Sequence, residues 1–223
     1  MSWSRRRWAL TALTTAAAVA VPAGIATAAR KRTEEPKYDV QAKHSGFEVR
    51  RYAPRIVAEV DVKGSGREAS SAGFRLLADF IFGNNTAQAE VAMTAPVDRT
   101  AVSEAIDMTA PVDRTAKGDA WVIAFTMPSK YTMQTLPKPN DGRVRIREVP
   151  PTRYAVMRFS GSPNDKVVGS RMDLLIERVQ KEGYTTAGKP PTYARYDPPW
   201  TPSFLRRNEI MLRVDWPEAD GRT

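Results

Sequence analysis

The side chains able to do chemistry in this chain are few. It has no cysteine and one histidine, His44. That excludes disulfides, thiolate metal sites, cysteine nucleophiles and thioether-linked cofactors together. Any Ser–His pair would depend wholly on His44, no G-x-S-x-G elbow surrounds a serine, no carboxylates stand at a telling spacing, and no metal-ligand cluster appears. The expectation is therefore no catalytic residue and no enzyme. His44 ends a strand pattern beside Ser45-Gly46, so it is either a solvated turn residue or a weak candidate metal ligand.

What remains is binding chemistry. Arg206-Arg207 follow a proline-rich loop carrying Trp200 and Phe204. Paired guanidinium groups suit the carboxylates of an anionic ligand; the alternative is pairing with an internal acid such as Glu209. Phe74, Leu77, Phe80 and Ile81 form an apolar helix surface, which either covers a ligand cleft or packs as core. Met93 and Met108 divide the same way, as soft ligand contacts or as core.

The elements that would position these residues are organised around a repeat. Met93–Ala101, MTAPVDRTA, recurs unchanged at Met108–Ala116. An offset of 15 is too short for a stacked repeat, whose periods run about 20–50 residues. Each copy reads as a short strand bending at its proline, Pro96 or Pro111, because proline removes a ladder donor. Val91 and Ile106 lead into the two copies. Two identical strands can compete for one slot in a sheet, so a chain lacking residues 93–107 is expected to fold.

Tyr38–His44 and Phe47–Tyr52 read as a hairpin, and Ile56–Val62 as a strand with one wet face. A helix follows over about 67–82, ending at Gly83. Trp121–Met127 is apolar on both faces and hence central. Val144–Val149 alternates with Arg143, Arg145 and Arg147; Tyr154–Phe159 is a strand, about 164–182 a second helix, and Thr192–Tyr196 and Glu209–Val214 close the chain. Arg55, a strand, a glycine stop and a helix in the first half match Arg153, a strand, Gly161 and a helix in the second. The pattern predicts a mostly antiparallel α+β domain with internal pseudo-symmetry.

The formal charge is +9, of which Arg5, Arg6 and Arg7 supply three, leaving +6. That excess suits an anionic ligand or membrane face, while no basic helix or aromatic–basic motif points to nucleic acid. Residues 1–29 read as a signal peptide or N-terminal membrane anchor: basic start, apolar run, Ala26-Thr27-Ala28 as an A-x-A site, and a twin-arginine-like Arg5-Arg6-Arg7-Trp8. Either way the domain is expected to be exported, periplasmic or extracytoplasmic, touching the inner membrane if the leader stays uncleaved. Residues 30–36 read as a charged linker, 37–216 as the domain and 217–223 as a disordered tail.

Six segments in order, FEVRRYAPRIVAEV (47–60), GFRLLADFIFGNN (73–85), the MTAPV copies, FTMPSKYTMQTLPKPND (125–141), VRIREVPPTRYAVMRFSG (144–161) and ARYDPPWTPSFLRRNEIML (194–212), resemble the SOUL haem-binding family, whose bacterial members often carry the MTAPV motif twice. The resemblance implies a pseudo-twofold distorted barrel of two antiparallel four-stranded sheets flanked by two helices, related to the gyrase-inhibitory-protein-like fold. It also implies non-covalent binding of haem or another tetrapyrrole. The axial histidine proposed for a vertebrate member falls at Arg51 here, which cannot ligate iron because it stays protonated. An apolar cleft built on Phe74, Leu77, Phe80, Ile81, Met93, Met108, Trp200 and Phe204, with Arg206 and Arg207 holding propionates, is the corresponding expectation. Two further readings are an envelope interaction module and a binder of another amphipathic anion, such as a fatty acid.

Overall fold

The computed structural model describes residues 33–87 and 103–215. Its strands are β1 (Tyr38–His44), β2 (Phe47–Tyr52), β3 (Arg55–Lys63), β4 (Asn85–Thr86), β5 (Val112–Lys117), β6 (Ala120–Thr126), β7 (Lys138–Pro139), β8 (Arg145–Val149), β9 (Thr152–Phe159), β10 (Thr185–Thr186), β11 (Thr192–Arg195) and β12 (Asn208–Asp215). The helices are α1 (Gly66–Ile81) and α2 (Asp165–Lys181).

Each helix starts where its sequence supplies a cap. Ser65 Oγ accepts from the Glu68 amide while the Glu68 carboxylate accepts from the Ser65 amide, a reciprocal box that satisfies two otherwise orphaned donors. Asn164 caps α2 by accepting from the Val167 amide. Along α1, Ala69, Gly73, Leu77, Phe80 and Ile81 are buried, a stripe at helical spacing. Gly73 is required by closeness: a Cβ there would lie 2.4 Å from Ile123 Cγ1.

Nine strands lie in the order β1-β2-β9-β12-β11-β5-β6-β3-β8, with β10 paired to β12. The halves match across β5 and β11, which pair through Val112–Thr115 and Thr192–Arg195. On either side the order is β5-β6-β3-β8 and β11-β12-β9-β2. The leading strand of each half crosses over: β2 pairs with β9, and β8 with β3. Pseudo-symmetry is thus present, but the barrel is not. The β5–β11 ladder fuses what were expected as two four-stranded sheets into one open antiparallel sheet, ending at β1 and β8.

The second MTAPV copy also differs from expectation. Its strand starts at Val112, beyond a cis Ala110–Pro111 bond, because a proline cannot donate to a ladder. Thr109 instead forms a parallel bridge with Glu34, and its hydroxyl donates to the Thr126 carbonyl. The first copy lies outside the described residues, as do residues 1–32 and 216–223. Among the described residues no helix is long and apolar enough to cross a membrane.

Both helices cover one face of the sheet. Under α1 lie Ala58, Val60, Ile123 and Phe125 with Ile106 and Leu136. Under α2 lie Phe47, Val49, Ala155, Met157, Ile210 and Leu212. The opposite face carries Tyr52, Val156, Ala194 and Met211 with Tyr154 and Tyr196 beside them.

Candidate functional site

Strand alternation sends Arg50, Tyr52, Tyr154, Tyr196 and Glu209 to the face opposite the helices. Glu209 is 2 % exposed and is the hub: Arg50 Nη1 donates to it at 3.1 Å and the Tyr196 hydroxyl at 2.8 Å. Arg50 Nε also donates to Glu48 at 2.9 Å. The Arg207 guanidinium sits 3.5 Å from the Tyr196 ring centroid, and Arg55 lies over Tyr52 at 5.3 Å and Tyr154 at 5.8 Å. Cations placed over ring faces gain attraction from the ring quadrupole. Burial, reinforced by Glu209, holds the Tyr52 and Tyr196 hydroxyls protonated far above their ordinary range.

The network is incompletely satisfied. Arg55 Nη1, Asp113 Oδ1, Thr126 Oγ1 and Arg207 Nε are buried without hydrogen-bond partners among the described residues. Burial pushes the Asp113 carboxyl up to about 7, against the pull of Arg55 and with help from Glu209. Leaving a buried polar group unpaired costs about 1–3 kcal/mol, so several around one region mark a place where packing has been given up.

A cavity of about 600 Å³ adjoins it. Arg55 and Thr126, two of the undersatisfied residues, line it, together with residues 34–37, 53–56, Thr109, 126–129, Tyr131, Thr132 and 148–150. One wall is a strap at the start of the described chain, read from sequence as linker. Glu34 accepts from the Ala110 amide at 2.9 Å through its carbonyl and from the Ser129 amide at 3.1 Å through its carboxylate. Glu35 pairs with Arg207, and the Lys37 carbonyl accepts from Ala53 at 3.0 Å.

The residues singled out from sequence lie elsewhere. Leu77, Phe80 and Ile81 are almost fully buried in the α1 core and Phe74 packs on Phe125 at 5.4 Å, so the helix face is filled by the sheet. Met108 is partly exposed, and Met93 lies outside the described residues. Trp200 and Phe204 are 81 % and 73 % exposed. Arg206 binds its own neighbourhood, donating to the carbonyls of Thr201 and Pro199 and to Ser162. Arg207 alone reaches the tyrosine network. Both His44 nitrogens are engaged, Nδ1 with Glu182 at 3.0 Å and Nε2 with the Tyr184 hydroxyl at 2.9 Å; it sits at the far hairpin end and does not line the cavity.

Arg55, Asp113, Thr126, Tyr154, Tyr196 and Glu209 were not singled out as site residues. A signal existed: Glu209 and Asp113 are acids within strand patterns, at positions whose alternation places them inside.

The sequence matches the SOUL heme-binding protein family over residues 33–213. The chain belongs to the SOUL haem-binding family. No match was found among curated proteins. Among solved structures, the C-terminal domain of EcmrR is similar at 12 % identity and TM-score 0.54, covering 80 % of this chain and 98 % of that one. EcmrR in a DNA complex gives 13 % identity and TM-score 0.53, covering 86 % and 63 %. A hydrolase from Listeria innocua gives 12 % and 0.49, covering 78 % and 94 %. At such identities the likeness to EcmrR concerns the fold alone.

The cavity is of small-molecule size. A volume of about 600 Å³ lies within the roughly 300–1,000 Å³ of small-molecule sites. Ile56, Met127, Val149 and four prolines, Pro36, Pro54, Pro128 and Pro150, give apolar walls, Lys37 and Arg55 give positive charge, and Glu34, Glu35 and Glu148 negative charge.

Proposed function

We propose that this SOUL-family chain binds haem or a related tetrapyrrole reversibly, in the strap-covered cavity, as a non-catalytic carrier or buffer at the cell envelope. One observation carries the choice of site: Arg55 Nη1 and Thr126 Oγ1, buried and without partners, belong to residues lining an apolar-walled cavity. A carboxylate-bearing ligand that drew these side chains toward the cavity would satisfy such donors, and charge-assisted bonds of this kind are roughly twice as strong as neutral ones. The flat apolar body would lie against the prolines, Ile56 and Val149, with the strap excluding water.

Histidine ligation has no place in this reading, because both His44 nitrogens are occupied. Of the lining side chains, Met127 and Tyr131 carry the usual non-histidine haem ligand atoms, beside the carboxylates of Glu34, Glu35 and Glu148. Glu34 and Glu35 are engaged by the Ser129 amide and Arg207, and the Tyr131 hydroxyl already donates to Glu104 at 2.6 Å. Binding therefore rests on shape and carboxylate pairing, and an iron-free porphyrin should bind about as well as haemin.

Haemin and protoporphyrin IX titrations of the full chain, followed by Soret absorbance, test this. The expectation is a saturable one-to-one transition for both, weakened about tenfold or more in Arg55→Ala, since a charged hydrogen bond contributes about 1.5–3 kcal/mol. Arg206→Ala should bind as the parent does. Non-saturating shifts, or equal loss in both variants, would refute the cavity. Fatty acid competing at equal affinity would favour the amphipathic-anion reading.

A further inference from the structure

A second, smaller cleft lies on the other face of the sheet, where the first turns of the two helices meet over the β5–β11 ladder. Arg67 and Ser70 of α1, Asp165 of α2, Arg114 of β5 and Tyr193 and Arg195 of β11 line a space of about 70 Å³, the scale of a tetrahedral oxyanion rather than a metabolite. Three guanidinium groups face one carboxylate. Arg114 Nη2 holds that carboxylate, Asp165 Oδ1, at 2.9 Å, and Asp165 is half exposed. Arg67 and Arg195 have no acid partner among the described residues, and Arg114 and Arg206 stand close enough to Arg195 to repel its charge.

Arg114 makes the cleft more than two helix ends. It is 6 % exposed, held between the rings of Trp121 at 4.8 Å and Tyr193 at 5.3 Å. Its Nε is buried with no partner, and Nη1 reaches only Ser70 Oγ, at 3.4 Å. The start of α1 lies directly against it, for a Cβ on Gly66 would fall 2.6 Å from Arg114 Nη1. A buried arginine with unmet donors, two uncompensated arginines at the rim and two helix N-termini with positive dipole ends all favour the same ligand charge.

We propose that this cleft binds a phosphate group. The inference is independent of the tetrapyrrole cavity and shares no residue with it. The phosphate is either free or the headgroup of an anionic phospholipid. The neighbouring loop suits the second source, because Arg206 ties it to Ser162 beside the cleft while Trp200, Phe204 and Leu205 stand exposed.

Two arms separate the sources, using the full chain, the exposed double variant Arg67→Ala/Arg195→Ala, and Arg75→Ala as an equally exposed control on α1. Thermal unfolding is followed against inorganic phosphate, with chloride at matched ionic strength, and co-sedimentation against phosphatidylglycerol and phosphatidylcholine vesicles. Removing two charged donors should weaken the response at least about tenfold, with Arg75→Ala unaffected. A saturable phosphate-dependent rise in Tm, lost in the double variant, identifies a free-phosphate site. Selective sedimentation with phosphatidylglycerol, lost in the double variant, identifies the headgroup. No response in either arm, or equal loss in Arg75→Ala, would overturn the site.

Discussion

The two faces of the one sheet have been built by opposite rules. On the helix face, Leu77, Phe80 and Ile123 are buried under α1 and Leu175 and Ile210 under α2, with the small arginine cleft between the helix starts. On the strap face, Arg50 and Glu209 are buried beside tyrosines and Asp113 is half-buried, several polar atoms lack partners, and a cavity of about 600 Å³ remains. Apolar packing is self-complementary and asks for nothing further. A buried polar network is stabilising only when every member is satisfied, and this one is not, so a ligand on the strap face can supply what folding left out.

The contrast is tested hardest at Glu209. Its removal strands Arg50, which is 5 % exposed, without its main counter-charge. Breaking a buried pair from one side costs about 3–5 kcal/mol. Glu209→Ala should therefore lose about that much stability by denaturant titration, while Glu209→Gln, which keeps an acceptor, loses less. Equal losses would mean that the site is held by packing rather than charge.

Next in size is Leu77→Ala on the other face, expected to cost about 2–5 kcal/mol for a fully buried leucine. The sharper observable is haemin affinity measured where the variant is still folded: it should be unchanged, because Leu77 lies in the α1 core with Phe80 and Ile123 and does not line the cavity. A loss of affinity would restore the apolar helix surface as the ligand site.

Asp113 distinguishes the faces by pH. Its carboxyl is raised by burial to about 7 in the fold and returns to about 3.9 when unfolded. The native state thus holds more protons between these values, and its stability falls as pH rises through that window. Asp113→Asn should flatten the decline in Tm between about pH 4 and 7. A parent-like slope in the variant would place the titrating group elsewhere.

How much of this was legible beforehand follows from the range of the interactions. The hairpin, both helices with their caps and the half-repeat are local or periodic, and residues 38–52 fold as the pattern predicts. The sheet closure was not legible, because the β5–β11 ladder joins residues some 80 apart in sequence and nothing local encodes it. The same holds for the site. Phe80 and Trp200 look alike as apolar residues, but one is 1 % and the other 81 % exposed. Arg206 and Arg207 are adjacent yet opposite in use: Arg206 holds its own loop, and Arg207 stacks on Tyr196.

The duplicated motif gives the smallest expected effect, at a segment that joins the α1 core to the cavity wall. Residues 103–107 do more than lead into the second copy. Ile106 is 2 % exposed in the α1 core, and its amide donates to the Ile81 carbonyl at 2.7 Å. The Asn85 side chain bonds the Glu104 backbone on both sides, at 2.7 and 2.9 Å. Removing residues 93–107 leaves Val91 two positions before Met108, in the place Ile106 held. The backbone bonds can then be remade by the upstream segment, and the core change is in effect Ile→Val, about 0.5–1.5 kcal/mol. The side-chain loss is the Glu104 carboxylate, replaced by Ala89, which frees the Tyr131 hydroxyl at the cavity wall. The deletion should unfold cooperatively with a Tm only a few degrees lower, and any change in ligand affinity should match that of Glu104→Ala. A non-cooperative transition would show that the two copies hold different places in the fold.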